Sequence, residues 1–277
     1  MPILKSGEAR IHYALEGQGA SPVLVFSNSL GADYSMWDTQ IPELRKKFRV
    51  LRYDTRGHGQ SSAAPDPYSI ELLAKDVIAL LDAMDLDRVH FCGLSMGGMI
   101  GMWLGVNAPE RLNKLVLCNT GARIGTAEAW NARIEAVRKS GMKSVASAVV
   151  ERWFSPAFRE KAPETISNTQ KMIENANPEG YAACCAAVRD FDFRAQLGGI
   201  RIPTLVISGA YDPAAPPADG RFLAQQIPGA RYAELNAAHL SNIEDQDHFN
   251  NELAAFLKSR GSLPMNERAH NESAIKS

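Results

Sequence analysis

The sequence predicts an α/β fold in which a mostly parallel, doubly wound sheet carries an inserted helical cap. Short apolar runs alternate with amphipathic helical patterns over the first 121 residues. The alternation stops after Gly121, gives way to helical patterns alone, and resumes at "PTLVISG". Alternating strands and helices favour parallel pairing, because each helix carries the chain back across a face of the sheet. Since the strand pattern continues after the helical block, we expect that block to be an insertion.

The elements of the first 121 residues follow from the spacing of their apolar residues. The stretch "PVLVFSN" is continuously apolar, which is typical of a strand covered on both faces. In "SIELLAKDVIALLDAMDL" the apolar residues recur at helical intervals, and Ser69 stands where an N-cap is expected. The other predicted strands are "RIHYALEG", "FRVLRYD", "RVHFCG" and "LNKLVLCNT", and the other predicted helices are "MWDTQIPELRKKF" and "MGGMIGMWLGVNAP".

The helical block is predicted to contain four helices, around Ala127–Ser140, Lys143–Phe154, Pro163–Asn175 and Glu179–Asp190. After it, the sequence predicts the strands "PTLVISG" and "ARYAELN", a helix near residues 219–226 and a last helix, "IEDQDHFNNELAAFLKS". We therefore divide the chain into an α/β core, a helical cap over the strand ends, and a loose polar tail. Their predicted bounds are residues 1–121 and 199–260 for the core, 122–198 for the cap, and 261–277 for the tail.

Composition and charge disfavour several classes of partner. Of the 277 residues, 45% are hydrophobic and 22% are charged, which is ordinary for a globular protein. The net charge is −1 and no basic stripe occurs, so neither nucleic acid nor an anionic membrane is an expected partner. No apolar run approaches the length of a membrane span.

The cysteines and the N-terminal residues favour a cytoplasmic location. Cys92 and Cys118 lie in apolar strand-like runs, Cys184 and Cys185 are adjacent, and no C-x-x-C spacing occurs. This pattern is typical of reduced thiols and not of a zinc site, so we expect no bound metal. The stretch "MPILKSGEARIHYALEG" lacks the apolar core of a signal peptide.

The stretch "FCGLSMGGM" is the strongest functional signal. It places Ser95 in a G-x-S-x-G pattern between a predicted strand and a predicted helix, which is the pattern of a nucleophile elbow. Side chains at positions 93 and 97 would collide with neighbouring backbone in so tight a turn. At the helix N-terminus, the Met96 amide could help to stabilise an oxyanion. The alternative is a glycine-rich turn that only packs a helix tightly against a strand.

A serine nucleophile needs a base and an acid that orients the base. This architecture orders them serine, acid, histidine. His239 in "LNAAHLSN" follows a predicted strand end and precedes a helix, and Asp212 follows the strand "PTLVISG". An acid one strand earlier is the other known arrangement, but the sequence has Asn119 at that position. The alternatives are a capping or turn role for His239 and an ordinary turn aspartate at 212.

Two loops complete the expected site. The loop "SNSLGAD" follows a strand and should supply a second oxyanion amide. Aligning Trp37 with the tryptophan common in these loops places that amide on Leu30. In "YDTRGHGQSS" we expect Asp54, Arg56 and Gly57 to form a buried ion pair and a turn behind the site, with a structural role.

With these motifs, the chain resembles the α/β-hydrolase superfamily over essentially its whole length, and within it the 3-oxoadipate enol-lactonases of aromatic catabolism. The elbow and the loops are shared by the superfamily, whereas segments of the cap carry the closer resemblance. The segments concerned are "SNSLGADYSMW", "DTRGHGQSS", "GLSMGGMIGMWLG", "CNTGARIG", "AWNARIEAVRKSGM", "RWFSPAF", "GYAACCAAVRDFDFR" and "AHLSNIE". Asn28–Ser29 stands where many hydrolases carry His-Gly.

The resemblance implies hydrolysis of an enol-lactone to 3-oxoadipate by Ser95, His239 and Asp212, without a metal or an organic cofactor. Because such a substrate is a small lactone that bears a carboxylate, the cap should offer a cation. Trp130 and Arg133 share one predicted helix face, and we expect them to line the pocket. The other candidate cations are Arg123, Arg138 and Arg189. The alternative is that all four arginines are solvated surface charges.

Other functions on the same scaffold stay open at this point. They include a carbon–carbon bond hydrolase of ring-cleavage products, a broad carboxylesterase or perhydrolase, and a ligand receptor with little turnover. A dehalogenase or epoxide hydrolase is disfavoured, because those enzymes carry aspartate at the elbow. The sequence also leaves open the oligomeric state, the lactone isomer, the motion of the cap, and whether His239 activates Ser95 or a water molecule.

Overall fold

The computed structural model describes residues 2–64 and 67–259. Its centre is one eight-stranded sheet in the order β1-β2-β4-β3-β5-β6-β7-β8. The strands are β1 (Ile3–Ser6), β2 (Ala9–Glu16), β3 (Val23–Ser27), β4 (Arg49–Tyr53), β5 (Val89–Leu94), β6 (Leu112–Cys118), β7 (Thr204–Gly209) and β8 (Arg231–Leu235).

The sheet is mostly parallel, which confirms the predicted fold class. Every pair from β4 through β3 to β8 is parallel, whereas β2 pairs antiparallel with both β1 and β4. Strands β3, β5 and β7 are buried at every residue, as continuous apolar runs predict for strands covered on both faces. The edge strand β1 was not predicted, because four half-exposed residues are too few to carry a pattern.

Helices cover both faces of the sheet. Their bounds are α1 (Ile41–Leu44), α2 (Ile70–Ala83), α3 (Met96–Asn107), α4 (Ala127–Ser140), α5 (Lys143–Trp153), α6 (Pro156–Lys161), α7 (Pro163–Glu174), α8 (Pro178–Arg189), α9 (Pro217–Gln226), α10 (Ser241–Glu244) and α11 (Gln246–Lys258). Ser69 caps helix α2, as predicted: its Oγ accepts a hydrogen bond of 3.1 Å from the Leu72 amide.

Five helices, α4 to α8, lie between β6 and β7, where the sequence predicted four. The additional helix α6 is one short segment, begun by the Ser155 cap and Pro156 at its first position. Two other predictions were too long. The helix over "MWDTQIPELRKKF" is a 3₁₀ turn, Tyr34–Trp37, followed by α1, and the last predicted helix divides at Asp245 into α10 and α11.

Helices α5 and α8 each contact a loop at the carboxyl ends of the strands. A Cβ added to Gly57, in the loop after β4, would lie 2.5 Å from the Gly180 Cα of α8. The Leu240 amide donates a 3.0 Å hydrogen bond to the carbonyl of Trp153, at the end of α5. A cap domain at 122–198 stays a prediction, as does the core that surrounds it. The predicted loose tail, 261–277, lies outside the described residues.

Candidate active site

Ser95 occupies a sharp turn between β5 and α3, with a positive φ of 58°. The flanking glycines are a steric requirement of that turn. A Cβ on Gly93 would lie 2.1 Å from the Gly97 carbonyl oxygen, and a Cβ on Gly97 would lie 2.2 Å from the Ser27 carbonyl oxygen. No real Cβ tolerates such distances, so the elbow geometry dictates the glycines that the sequence pattern displays.

His239 and Asp212 form a buried pair at the carboxyl ends of the last two strands. His239 Nδ1 lies 2.8 Å from Asp212 Oδ2, and both residues are at most 3% exposed. The other carboxylate oxygen accepts hydrogen bonds from the amides of Ala214 and Ala215, at 2.8 and 3.0 Å. Burial opposes ionisation of Asp212, but His239 and these donors together hold its pKa below the ordinary value. With Nδ1 engaged, Nε2 is the ring nitrogen of His239 left to act in the pocket.

Asn119 holds this pair in place, a role that the sequence did not reveal. Its Nδ2 donates to Asp212 Oδ2 at 3.0 Å and to the Ala238 carbonyl at 3.1 Å. Its Oδ1 accepts a 2.6 Å bond from the hydroxyl of Ser241. The residue is fully buried and adopts a positive φ of 46°, which asparagine tolerates better than most residues. Its place at the end of β6 was the only available signal.

The two residues predicted to supply oxyanion amides are Leu30, in the loop after β3, and Met96, which directly follows Ser95. Leu30, Ser95 and His239 line one cavity. Among the described residues, neither the Leu30 nor the Met96 amide has a hydrogen-bond acceptor. The Gly97 amide donates a 3.1 Å bond to the Asn28 carbonyl, which ties the loop after β3 to the start of α3.

Asn28 is held from two further sides. Its Oδ1 accepts a 3.0 Å bond from the indole of Trp37, and its Nδ2 donates a 2.9 Å bond to the Tyr53 carbonyl. Trp37, whose position in the sequence predicted the oxyanion amide, therefore stabilises the loop that carries this amide. The catalytic role of the Leu30 and Met96 amides stays a prediction.

The cavity has a volume of about 340 Å³ and is walled by core and cap together. The core contributes Ser95, His239 and Leu30 with the residues around Asp219. The further lining residues are Ser29, Ile124, Gly125, Ala129, Trp130, Arg133, Val149, Arg152, Trp153, Tyr181, Val188, Pro213, Ala214 and Pro216. Both predicted pocket residues of the cap, Trp130 and Arg133, are thus brought to the same cavity as Ser95.

Two arginines of the cavity have no carboxylate partner among the described residues. The guanidinium of Arg133 lies 4.8 Å from the ring centroid of Trp130, and neither Arg133 nor Arg152 forms an ion pair within the described part of the chain. Burial and the nearby charge of Arg133 lower the pKa of Arg152. Sequence reasoning missed Arg152, because the face of α5 that meets the cavity depends on how the cap helices pack.

The other candidate cations lie in surface ion pairs. Arg123 pairs with Asp192 at 3.8 Å, and Arg138 pairs with Glu179 at 3.3 Å. Arg189 pairs with its neighbour Asp190 at 2.8 Å. None of the three lines the cavity of Ser95, so the structure leaves Arg133 and Arg152 as its cationic groups.

Within the part of the chain that the structure describes, the core side of the cavity carries one further ionisable group, Asp219, at the start of α9. Burial raises its pKa, and the negative charge of Asp212 raises it further. The cavity therefore has positive charge on the cap side and a carboxyl group on the core side.

The expected ion pair within "YDTRGHGQSS" is wrong in its partners. Arg56 pairs with Asp76 of α2, with Nε to Oδ2 at 2.8 Å and Nη2 to Oδ1 at 2.6 Å. Asp54 instead lies 2.7 Å from His12 Nδ1 and accepts hydrogen bonds from the Tyr34 and Gln60 amides. The buried partners come from other elements, and the spacing within one loop could not reveal them.

Residues 2–64 and 67–259 contain no cluster of three or more histidine, cysteine or acidic side chains arranged to hold a metal ion. In the same residues, no helix combines the length and apolar character that crossing a membrane requires.

Comparison with known proteins gives concordant matches. A family model described as the alpha/beta hydrolase fold matches residues 22–246. The chain is 44% identical over 255 residues to a protein named 3-oxoadipate enol-lactonase 2 from Acinetobacter baylyi. This alignment covers 92% of this chain and 96% of the relative. A second protein of that organism, named 3-oxoadipate enol-lactonase 1, is 39% identical and covers 88% of this chain and 92% of its own length.

A solved structure agrees with these relatives. The crystal structure of the enol-lactonase from Burkholderia xenovorans superimposes with a TM-score of 0.92 at 46% identity. The superposition covers 93% of this chain and 100% of that chain. The shared fold thus extends through both the strand elements and the inserted helices.

Proposed function

We propose that this chain, which belongs to the α/β-hydrolase family, hydrolyses 3-oxoadipate enol-lactone to 3-oxoadipate. One observation carries the proposal: the cavity lined by Ser95 and by His239, the partner of Asp212, is also lined by two arginines without a carboxylate partner among the described residues. An esterase for neutral substrates has no use for such charges, because half-buried cations without a partner are costly. A small lactone that bears a carboxylate supplies that partner.

The size of the cavity suits this substrate class. A volume of about 340 Å³ accommodates a five-membered lactone ring with a two-carbon acid arm and leaves little room for long acyl chains. Arginine is suited to the carboxylate, since its planar guanidinium donates two parallel hydrogen bonds. The names of the relatives support the same substrate.

In the proposed reaction, Ser95 Oγ attacks the lactone carbonyl carbon while His239 Nε2 takes the hydroxyl proton. The Leu30 and Met96 amides donate to the carbonyl oxygen as it becomes negative. The ring carbon–oxygen bond then breaks, and its electron pair leaves with the enolate oxygen. The imidazolium gives its proton to that oxygen, which yields an enol that converts to the ketone and leaves His239 again a base. Water, deprotonated by His239, then attacks the acyl carbon, the bond from that carbon to Ser95 Oγ breaks, and Oγ takes the proton back from the imidazolium. Asp212 stabilises the imidazolium that forms at each stage.

A second route keeps the same residues but lets His239 activate water directly. Rapid quenching followed by intact-protein mass spectrometry distinguishes the routes. Only the covalent route attaches the mass of the substrate to a peptide that contains Ser95.

The test of the proposed function is the loss of ultraviolet absorbance of the enol-lactone, generated in situ, with the protein and with its Ser95→Ala form. We expect fast decay that Ser95→Ala abolishes. Decay no faster than in buffer alone would overturn the lactonase proposal. Rapid hydrolysis of 4-nitrophenyl acetate with no action on the lactone would instead favour a broad esterase.

The proposal includes a role in the catabolism of aromatic compounds and a cytoplasmic location. Its support for the latter is that Cys92, Cys118, Cys184 and Cys185 are all free and buried. Fractionation of cells followed by detection of the native chain tests it, and recovery with a periplasmic marker would contradict it.

A further inference from the structure

His58, in the loop after β4, lies directly beneath the loop that carries the Leu30 amide. It is 1% exposed, and its Nε2 lies 2.9 Å from the backbone nitrogen of Gly31. The Gly31 N–H can only donate, so Nε2 is the unprotonated, accepting nitrogen of the ring. Its Nδ1 lies 3.3 Å from the Arg56 carbonyl oxygen, which suits the protonated nitrogen. Both ring nitrogens are therefore used, and the imidazole is neutral.

The surroundings of His58 favour that neutral form. Burial lowers its pKa to about 4, well below neutral pH. The Arg56 carbonyl that receives the Nδ1 proton is itself fixed, because the Arg56 guanidinium makes a two-point contact with buried Asp76. The contact of Nδ1 with the Arg56 carbonyl thus orients the ring, and the neutral imidazole presents Nε2 as an acceptor to the Gly31 N–H.

The residues above His58 form a tight turn. The Ala32 amide donates a 3.1 Å hydrogen bond to the Ser29 carbonyl, so Leu30 and Gly31 are the two central residues. Gly31 has a φ of 91°, as the second central position of a type II turn requires. The Gly31 N–H belongs to the peptide between these central residues, and the adjoining peptide carries the Leu30 N–H. The hydrogen bond to His58 therefore holds the turn at the peptide next to the Leu30 donor.

We propose that His58 is a positioning residue for the oxyanion hole: by accepting the Gly31 N–H, it locks the turn and keeps the preceding Leu30 N–H aimed into the cavity. The inference rests on the proposed function only in that it assumes catalysis by Ser95 with a Leu30 donor. A cap residue packs against Gly31 of the same turn. Tyr181 of α8 lies with Cε2 3.1 Å from where a Gly31 Cβ would be, and its ring centroid is 6.4 Å from that of His58.

A matched pair of variants tests this role. In His58→Gln, the side chain is long enough to bring Oε1 to the place of Nε2 and accept from Gly31. In His58→Asn, the side chain is one methylene shorter, stops near the place of Nδ1 and leaves the Gly31 N–H unpaired. Both variants are polar and close in volume, so they separate loss of the hydrogen bond from loss of the ring.

The assays are hydrolysis of the enol-lactone and of 4-nitrophenyl acetate, and inhibition by phenylboronic acid, which forms a tetrahedral adduct on an active serine. We expect His58→Asn to lose about 10- to 100-fold in kcat on both substrates with KM within twofold, less than the loss on deleting a donor. Phenylboronic acid should bind more weakly by a similar factor. His58→Gln should retain kcat within about threefold.

Equal losses in the two variants, or unchanged kcat and boronate affinity in His58→Asn, would overturn the positioning role. A merely structural role predicts a lower melting temperature in both variants without a loss of kcat per titrated active site. Failure of the lactonase proposal is seen separately, as wild-type protein that hydrolyses the nitrophenyl ester but not the lactone. In that event the ester and boronate comparisons still decide the role of His58.

Discussion

At the core side of the cavity, Asp212, His239 and Asn119 hold one another by hydrogen bonds, whereas at the cap side Arg133 and Arg152 have no carboxylate partner in the described residues. We refer to Ser95 with the three core residues as the catalytic corner, and to Trp130 with the two arginines as the cap face. Asp212, His239 and Asn119 are almost completely buried, whereas Ser95 and the two arginines are partly exposed.

Under the proposed function, this difference separates the residues that perform the chemistry from those that select the substrate. The buried, hydrogen-bonded side chains of Asp212, His239 and Asn119 hold their geometry before any substrate arrives, which is what pre-organised catalysis requires. Charges without a partner have no such internal order, and their complement must come from the bound molecule. We therefore expect changes in the corner to affect all substrates alike, and changes at the cap face to affect only substrates that bear a carboxylate.

The largest expected effect is that of Asp212→Asn. The substitution keeps the shape of the side chain but removes the charge that orients His239 and stabilises its imidazolium. We expect kcat to fall about 10⁴-fold on both the lactone and 4-nitrophenyl acetate. Steady-state kinetics on the two substrates measure it. Asp190→Asn, at a surface ion pair of α8, is the control and should leave both rates unchanged.

The second prediction concerns stability in acid, which should differ between core and cap. The folded pKa of His58 is about 4, and an unfolded histidine titrates near 6.5. Between these values the unfolded chain binds a proton that the folded chain does not, so lowering the pH favours unfolding. The free energy of unfolding should fall by about 1.4 kcal/mol per pH unit for this one group. His90 on β5 titrates in the same direction, because burial and then Lys114 lower its pKa to about 4.

Urea denaturation at several pH values between 6.5 and 4.5 measures that slope. In His58→Gln the slope should be smaller by about 1.4 kcal/mol per pH unit, which corresponds to one proton. Residues 122–198 contain no histidine. There, Arg194 holds the pKa of Asp192 at about 2, so that pair should weaken only below about pH 4. Asp192→Asn is thus the cap control, and a change of slope above pH 4.5 in this variant would contradict the assignment.

The third prediction concerns the cap face. Arg152→Gln should raise KM for the lactone about 10- to 100-fold, the cost of losing one charged hydrogen-bond donor to a carboxylate. Arg133→Gln should act in the same direction. Hydrolysis of 4-nitrophenyl acetate should change less than twofold, since that ester has no carboxylate.

Arg123→Gln is the matched control for these variants, because Arg123 is a half-exposed arginine outside the cavity. It should leave KM for the lactone unaltered. Equal losses on the lactone and the neutral ester in Arg133→Gln and Arg152→Gln would remove both residues from the carboxylate role.

The smallest predicted effect is that of Asn119→Ser, within the corner. The substitution leaves the Asp212–His239 bond in place but removes the donor to Asp212 and to the Ala238 carbonyl. We expect kcat to fall about tenfold on both substrates with KM unchanged, as the loss of one hydrogen bond to a charged group suggests. A rise in KM for the lactone alone would transfer Asn119 from the corner to the substrate site.

The catalytic corner and the cap face also differ in how well the sequence predicts their residues. The glycines around Ser95 and the strand-end positions of Asp212 and His239 are local patterns, so they could be read from single segments. Arg152 became a cavity residue only through the packing of α5, and the partner of Arg56 lies 20 residues away on another element. Local sequence therefore predicts the corner better than it predicts the cap face, where tertiary packing decides which side chains turn inward.

The contact of Gly57 with Gly180 has a consequence for recombination between related chains. The two backbones touch so closely that a Cβ on either residue would penetrate the other chain segment, at 2.5 and 2.4 Å. A cap taken from a relative that carries a larger residue at either position would not seat on this core. Exchange of substrate preference by transplanting residues 122–198 therefore has to preserve glycine on both sides of that seam, or to carry the loop after β4 along with the graft.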